Sequence, residues 1–177
     1  MSRINSSPFP ILTTERLTLR QISIEDKGAI FALRSDAAVN KFLSRSASHS
    51  IDDAINFINQ VNENIKNNNS LYWVICLTKT KAVVGTICLF DFSSEQNSCE
   101  IGYELMTSFQ GKGLMTEAIE KVISYVFETL QFQKITAFTH KGNLNSTKLL
   151  TKFNFQQAEE ASEENLDFNV FSLTHLH

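Results

Sequence analysis

The chain has 177 residues, 42% of them hydrophobic and 20% charged, with 6 Gly, 2 Pro and a formal charge of −3. That length suffices for one well-buried core, and the balance excludes a disordered or fibrous chain. The small negative charge argues against nucleic acid as a partner, because such binding relies on clustered Lys and Arg.

Arg16–Ile22 alternates, with Leu17 and Leu19 on one face and Thr18, Arg20 and Ile22 on the other, which predicts a first strand. Ser23 with Asp26 resembles a capping box, and a helix is expected over 24–35, with a short helical piece over 37–43. Ser50 repeats the signal with Asp53, and Ile51, Ala54, Ile55, Ile58, Val61 and Ile65 recur at helical spacing until Asn67, Asn68 and Asn69. Three strands follow at 71–78, 82–92 and 98–106, and their short linkers favour an antiparallel meander. A long helix is expected over 113–130, a strand over 134–140, a helix over 145–153, and last strands over 155–160 and 167–173. Strand, helix, strand over 98–140 is a crossover unit, so the sheet is mixed. The acidic run Glu159–Glu164 reads as a solvated hairpin tip.

Cys76, Cys88 and Cys99 sit singly in apolar runs without metal-ligand or disulfide spacing, which suggests reduced, buried thiols. His49, His140, His175 and His177 form no spaced cluster, and no metal is implied. No apolar run approaches the roughly 18 residues of a membrane span, and residues 1–15 lack a signal-peptide apolar core. One domain over residues 1–177 is therefore expected, cytoplasmic and without a membrane partner.

Gln110–Phe127 is the stretch whose local chemistry points to a ligand. Gly111 and Gly113 flank Lys112, and helical periodicity begins immediately after, at Met115, Ile119, Val122 and Val126. A helix start offers unpaired N–H groups and the positive end of the macrodipole, and glycines admit close approach, so a phosphate or pyrophosphate fits there. A plain tight turn gives the same pattern. The third glycine of a dinucleotide fingerprint and the Lys-Ser/Thr of a P-loop are both missing.

The order of elements, with QGKGLMTEA opening the long helix after a strand ending IGYEL, resembles the GNAT superfamily of acetyl-CoA-dependent N-acetyltransferases. TERLTLR at Thr14–Arg20, CEIGY at Cys99–Tyr103, and N-x-x-S with LLxKFxF over 143–155 extend the resemblance across essentially the whole chain. The branch that acetylates ribosomal-protein N-termini, the RimJ/RimL-like group, fits best. The resemblance implies an α/β (α+β) GNAT fold, with a mixed, mostly antiparallel, seven-stranded sheet flanked by about four helices.

The same resemblance assigns roles. The family's loop pattern, Q/R-x-x-G-x-G/A, is met by Gln110 and Gly113, with Met115 where Gly or Ala is usual. Gln110, Gly111, Lys112, Gly113, Leu114, Met115 and Thr116 are thereby expected to hold the CoA pyrophosphate, and the backbone of Glu104, Leu105 and Met106 to pair with the pantetheine arm. Glu100 takes the position of the catalytic base, direct or through water, with an amine anchor or a structural carboxylate as alternatives. Glu104 could equally be a rim carboxylate. Leu150 stands where many members place a tyrosine acid, so Ser146 is the substitute acid, unless its hydroxyl only serves the helix start. Asn143 resembles the asparagine that contacts pantetheine, or simply caps that helix. Lys148 and Lys152 could meet the 3'-phosphate or stay solvated. Alternation turns Cys99 away from Glu100, which disfavours an acetyl-cysteine route.

Acceptor identity is the open part. The resemblance implies a primary amine, either a protein N-terminal α-amine or a small amine such as an amino acid, polyamine or antibiotic, on a monomer or homodimer. Only eleven residues separate Phe155 from Asp167, a short final hairpin for a ribosomal-protein enzyme. A non-catalytic CoA-binding module that keeps the fold is the reading of another class.

Overall fold

The computed structural model describes residues 4, 7–158 and 167–175. Among them the strands are β1 (Leu12–Thr13), β2 (Leu17–Gln21), β3 (Ser70–Leu77), β4 (Val83–Ser93), β5 (Ser98–Leu105), β6 (Lys134–His140), β7 (Gln156–Gln157) and β8 (Phe168–Thr174). The helices are α1 (Lys27–Ser35), α2 (Ala37–Asn40), α3 (Ile51–Lys66), α4 (Leu114–Ser124) and α5 (Leu144–Lys152). A 3₁₀ turn, Ile24–Asp26, leads into α1, and a π-helical turn, Tyr125–Thr129, prolongs α4. The acidic run Glu159–Glu164, the end of the strand expected over 155–160, and His177 lie outside the described residues.

One eight-stranded sheet has the order β1-β2-β3-β4-β5-β6-β8-β7. The strand beyond the expected seven is β1, which pairs Leu12 with Leu19 and Thr13 with Thr18. Two residues are too few to show alternation, so no pattern marked it. The meander β3 to β5 is antiparallel, as its short linkers required, and β2 adds antiparallel to the edge of β3. The crossover through α4 makes β5 and β6 the parallel pair. The fifth helix is the single turn α2, whose N-cap Asp36 accepts from the Ala38 N–H at 2.8 Å.

Each face of the sheet buries its own apolar set. Leu19, Trp73, Ile75, Ile87, Leu89, Cys99 and Ile101 pack with Ile119, Val122 and Leu150 of α4 and α5. Ile22, Val74 and Cys76 pack on the opposite face with Ile30 of α1 and Ala54, Ile58, Val61 and Ile65 of α3. The α3 stripe forms because the capping box closes: Ser50 Oγ accepts from Asp53 N–H at 3.2 Å, and the Asp53 carboxylate accepts from Ser50 N–H at 3.0 Å. Burying each of its large aliphatic side chains contributes about 1.5–3 kcal/mol. Among the described residues, no helix is long and apolar enough to cross a membrane.

Candidate active site

The parallel pair β5–β6 is short. It runs through Ser98–Lys134, Cys99–Ile135 and Glu100–Thr136 and stops there. Beyond it β5 stays paired to β4 as far as Leu105, and β6 to β8 as far as His140, so the two strands splay into a V. The Met106 N–H donates to the Val84 carbonyl at 2.8 Å, and the Leu105 carbonyl accepts from Gln110 Nε2 at 3.0 Å. Ladder alternation turns the Tyr103 and Leu105 amides toward the open side. Of the expected segment Glu104–Met106, Leu105 thus offers the outward amide, while the Met106 amide is taken up inside the sheet.

The glycine loop borders that V. Gly111 and Gly113 have φ of 73° and 75°, a region open mainly to glycine, and Gly113 is the N-cap of α4. Apart from Gly111 and its two chain neighbours, no atom of the described residues lies within 4 Å of where a Gly111 Cβ would be, which leaves that backbone open to a ligand. Lys112 turns aside, its Nζ donating to the Ser108 carbonyl at 2.9 Å. From behind, Arg16 clasps the loop: its Nη1 donates to the Lys112 carbonyl at 3.0 Å and its Nε pairs with Glu117 Oε2 at 2.7 Å. The Thr14 hydroxyl also donates to Glu117. Burial pushes the Glu117 carboxyl up, but the bonds from Thr14 and Arg16 prevail and hold it below the usual range. The T-E-R and G-L-M-T-E stretches, about a hundred residues apart, are therefore one structural unit.

A cleft of about 490 Å³ joins the V to this loop. Gln110, Gly111, Gly113, Leu114, Met115 and Thr116 line it, together with Tyr103, Glu104, Leu105, Asn143, Ser146, Lys148 and Lys152. Glu100 does not contribute to that lining. It shares a sheet face with Glu104, but four residue steps along the strand set their Cα atoms about 13 Å apart. Glu100 is half-buried, and burial, then Asp91, pushes its carboxyl up to about 7.

Tyr103 faces the other way, toward α5, where its hydroxyl and Ser146 Oγ are hydrogen-bonded at 2.8 Å. Ser146 thus bonds across the fold instead of serving only its own helix start. That capping task falls to Asn143, whose Oδ1 accepts from Ser146 N–H at 3.1 Å. Burial pushes the Tyr103 phenol up to about 12, with the Ser146 bond pulling weakly the other way, so the phenol stays protonated at neutral pH. Cys99 is fully buried on the α4 face, and burial pushes its thiol up to about 12, so it is no nucleophile.

Residues 16–156 match the model of the acetyltransferase (GNAT) domain. The chain belongs to the GNAT acetyltransferase family. It is 36% identical over 149 residues to the uncharacterized N-acetyltransferase YoaA of Bacillus subtilis (strain 168), covering 84% of each chain. A ribosomal protein uS5-alanine N-acetyltransferase of Escherichia coli (strain K12) is 28% identical over 163 residues, 86% of this chain and 81% of that one. A Vibrio cholerae spermidine N-acetyltransferase, solved with CoA and spermine, superposes with a TM-score of 0.79 at 20% identity, over 91% of this chain and 96% of that one.

This GNAT chain is thus an N-acetyltransferase, and its likeness to the RimJ/RimL group read from the motifs extends to curated relatives. No sequence motif marks Tyr103, Arg16 or Glu117 as site residues, although alternation along β5 separates Tyr103 from Glu100 and Glu104. Among the described residues no group of three or more His, Cys, Asp or Glu could hold a metal ion. Replacing Glu117 by Ala releases the Arg16 clasp. The KM for acetyl-CoA should rise roughly tenfold, the worth of about one charge-assisted hydrogen bond, with kcat little changed in steady-state assays.

Proposed function

We propose that the chain binds acetyl-CoA along the V and the glycine loop and passes its acetyl group directly to a primary amine. The observation that carries this reading is the early end of the β5–β6 ladder beside a loop with two left-handed glycines. An open strand edge accepts an extended arm by main-chain pairing, and a helix N-terminus accepts phosphate oxygens. Gln110, Gly111, Lys112, Gly113, Leu114, Met115 and Thr116 would hold the pyrophosphate, Glu104, Leu105 and Met106 would flank the pantetheine arm, and Asn143 would meet its amides. Of that strand segment, Leu105 has the outward N–H, which would polarise the thioester carbonyl.

The chemistry needs a base on one side and an acid on the other. Alternation along β5 supports that division, with Glu100 and Glu104 on one face and Tyr103 with Ser146 on the other. The amine nitrogen attacks the thioester carbon, the carbon–sulfur bond breaks, and the thiolate takes a proton from Ser146, resupplied through Tyr103. The amine proton goes to Glu100, and the 13 Å spacing from Glu104 favours a water as intermediary. The buried, free Cys76 and Cys99 suit a reducing cytoplasm.

A protein N-terminal α-amine is the acceptor favoured by the uS5-alanine relative, and a small amine is the second reading, favoured by the spermidine enzyme's fold. Thiol release from acetyl-CoA against a panel of N-terminal peptides and small amines tests the activity. Turnover with at least one amine is expected. Binding of CoA without turnover across the panel would point instead to a non-catalytic CoA-binding module.

A further inference from the structure

On the face of β5 that carries Glu104 lies a charge cluster that the proton transfers do not use. Glu104 Oε2 pairs with Arg45 Nη1 at 2.7 Å, and only 10% of the Glu104 side chain is exposed. Arg45 is held in turn by Asn40, whose Oδ1 accepts from its Nε at 2.8 Å. Asn40 Nδ2 donates to the Arg34 carbonyl at 2.7 Å, and the Arg34 guanidinium lies 3.8 Å over the Phe57 ring. Side chains from α1, α2 and the loop after them are thereby fixed over β5.

The central pair nevertheless meets through one prong. A carboxylate and a guanidinium meeting as a fork would satisfy two donors and two acceptors. Here Glu104 Oε1 and Arg45 Nη2 are both buried without a hydrogen-bond partner among the described residues, and so is Arg34 Nε. Buried polar groups left in this state are costly, and such orphans mark places where a ligand supplies the missing partner. Glu104 lines the cleft beside Leu105, so the cluster, with Arg45 and Arg34 behind it, borders the space that an acceptor enters.

What remains unmet specifies the ligand. Glu104 Oε1 needs a donor, and Arg45 Nη2, close by, needs an acceptor. Two guanidinia face one carboxylate, so the local excess is positive and favours an oxygen with negative character. An amine with a carbonyl or carboxylate on the adjacent carbon meets both demands at once. A polyamine offers donors alone, leaving Arg45 unmatched and placing further positive charge beside Arg34.

We propose that Glu104 and Arg45, backed by Arg34, form the acceptor subsite and select an α-amine whose neighbouring carbon bears a carbonyl or carboxylate oxygen, as in a peptide N-terminus or a free amino acid. This rests on the acetyltransferase reading above. The test is steady-state thiol release by the full chain with acetyl-CoA and four acceptors: a tripeptide with a free N-terminus, alanine, spermidine and propylamine. The tripeptide or alanine should exceed spermidine and propylamine at least about tenfold in kcat/KM, the discrimination one charge-assisted hydrogen bond gives. Preference for the tripeptide identifies a chain terminus, and preference for alanine identifies a free carboxylate.

Arg45→Lys keeps a cation against Glu104 and removes the unpaired donor. It should raise the KM for the preferred acceptor about tenfold and that for propylamine by clearly less, narrowing the gap. Thermal stabilisation by CoA, measured in parallel, shows that the variant is folded. Spermidine or propylamine used as well as the α-amines, or a variant that slows every amine equally, overturns the subsite while the acetyltransferase stands. Absence of turnover with all four amines overturns both.

Discussion

Replacing Glu100 by Gln should lower kcat/KM about a hundredfold or more while making the folded protein more stable at alkaline pH. The loss in rate is that of removing the proposed general base, a role commonly worth about 10²–10⁴-fold. The pH profile carries the diagnosis. With its carboxyl pushed up to about 7 by burial and then Asp91, Glu100 is ionised only above neutrality. Wild-type kcat/KM should therefore fall as pH drops through about 7, and that limb should be missing from the residual activity of the variant.

The stability gain has the same origin. A carboxyl whose pKa rises on folding holds its proton more tightly in the folded chain. Below the ordinary value near 4.5 both states are protonated and nothing is lost. As pH climbs from there through about 7, the unfolded chain ionises first, and the folded state bears a cost that is complete above 7. Glutamine has no such cost. Because Glu100 is only half-buried, solvent screening leaves about 1 kcal/mol, or a few degrees in Tm for a chain of this size. Melting curves should separate wild type from variant at pH 8 and coincide near pH 4. A variant with full activity at every pH would exclude Glu100 as the base, and equal Tm values at both pH values would exclude its raised pKa.

Ser146→Ala should lower kcat tenfold to a hundredfold with the KM for acetyl-CoA nearly unchanged, and Tyr103→Phe should do nearly the same. The leaving thiolate, from a thiol near pKa 8.5, needs a proton as the intermediate collapses. In the proposed mechanism the hydroxyl pair, 2.8 Å apart, would supply one through a phenol that burial keeps neutral. Groups that act as one relay are not additive, so the double variant should be little worse than either single one. Losses that multiply would show two independent roles, and an unchanged kcat in Ser146→Ala would remove the acid from this position.

Much of this architecture could be read from the residues because long, strongly periodic segments carry their own signal. The Ser50 box and the stripe Ala54, Ile58, Val61, Ile65 fixed α3 to within a residue or so, and Lys134–His140 coincides with β6. β1 escaped because two residues show no period, and the π-helical turn at Tyr125–Thr129 keeps the apolar spacing of a plain helix end. The site divides in the same way. Left-handed φ at Gly111 and Gly113 follows from glycine chemistry and a helix start, whereas Arg45 against Glu104, or Tyr103 against Ser146, joins residues 59 and 43 positions apart. No local pattern encodes such pairs. Asn143 shows how two readings can both hold, since a side chain that caps α5 through Oδ1 also lines the cleft.

The claim that the V and the glycine loop seat CoA has a direct measurement in CoA titration followed by thermal unfolding. A ligand held only by the folded chain stabilises it by about 2.7 kcal/mol at a hundredfold excess over Kd, which is roughly 5–10 °C for a domain of this size. Saturable stabilisation of that order is expected for the wild type, and a much weaker response for Gly113→Val, whose β-branched side chain is strained at φ 75° and crowds the loop. An unfolding temperature that does not move at millimolar CoA would contradict it.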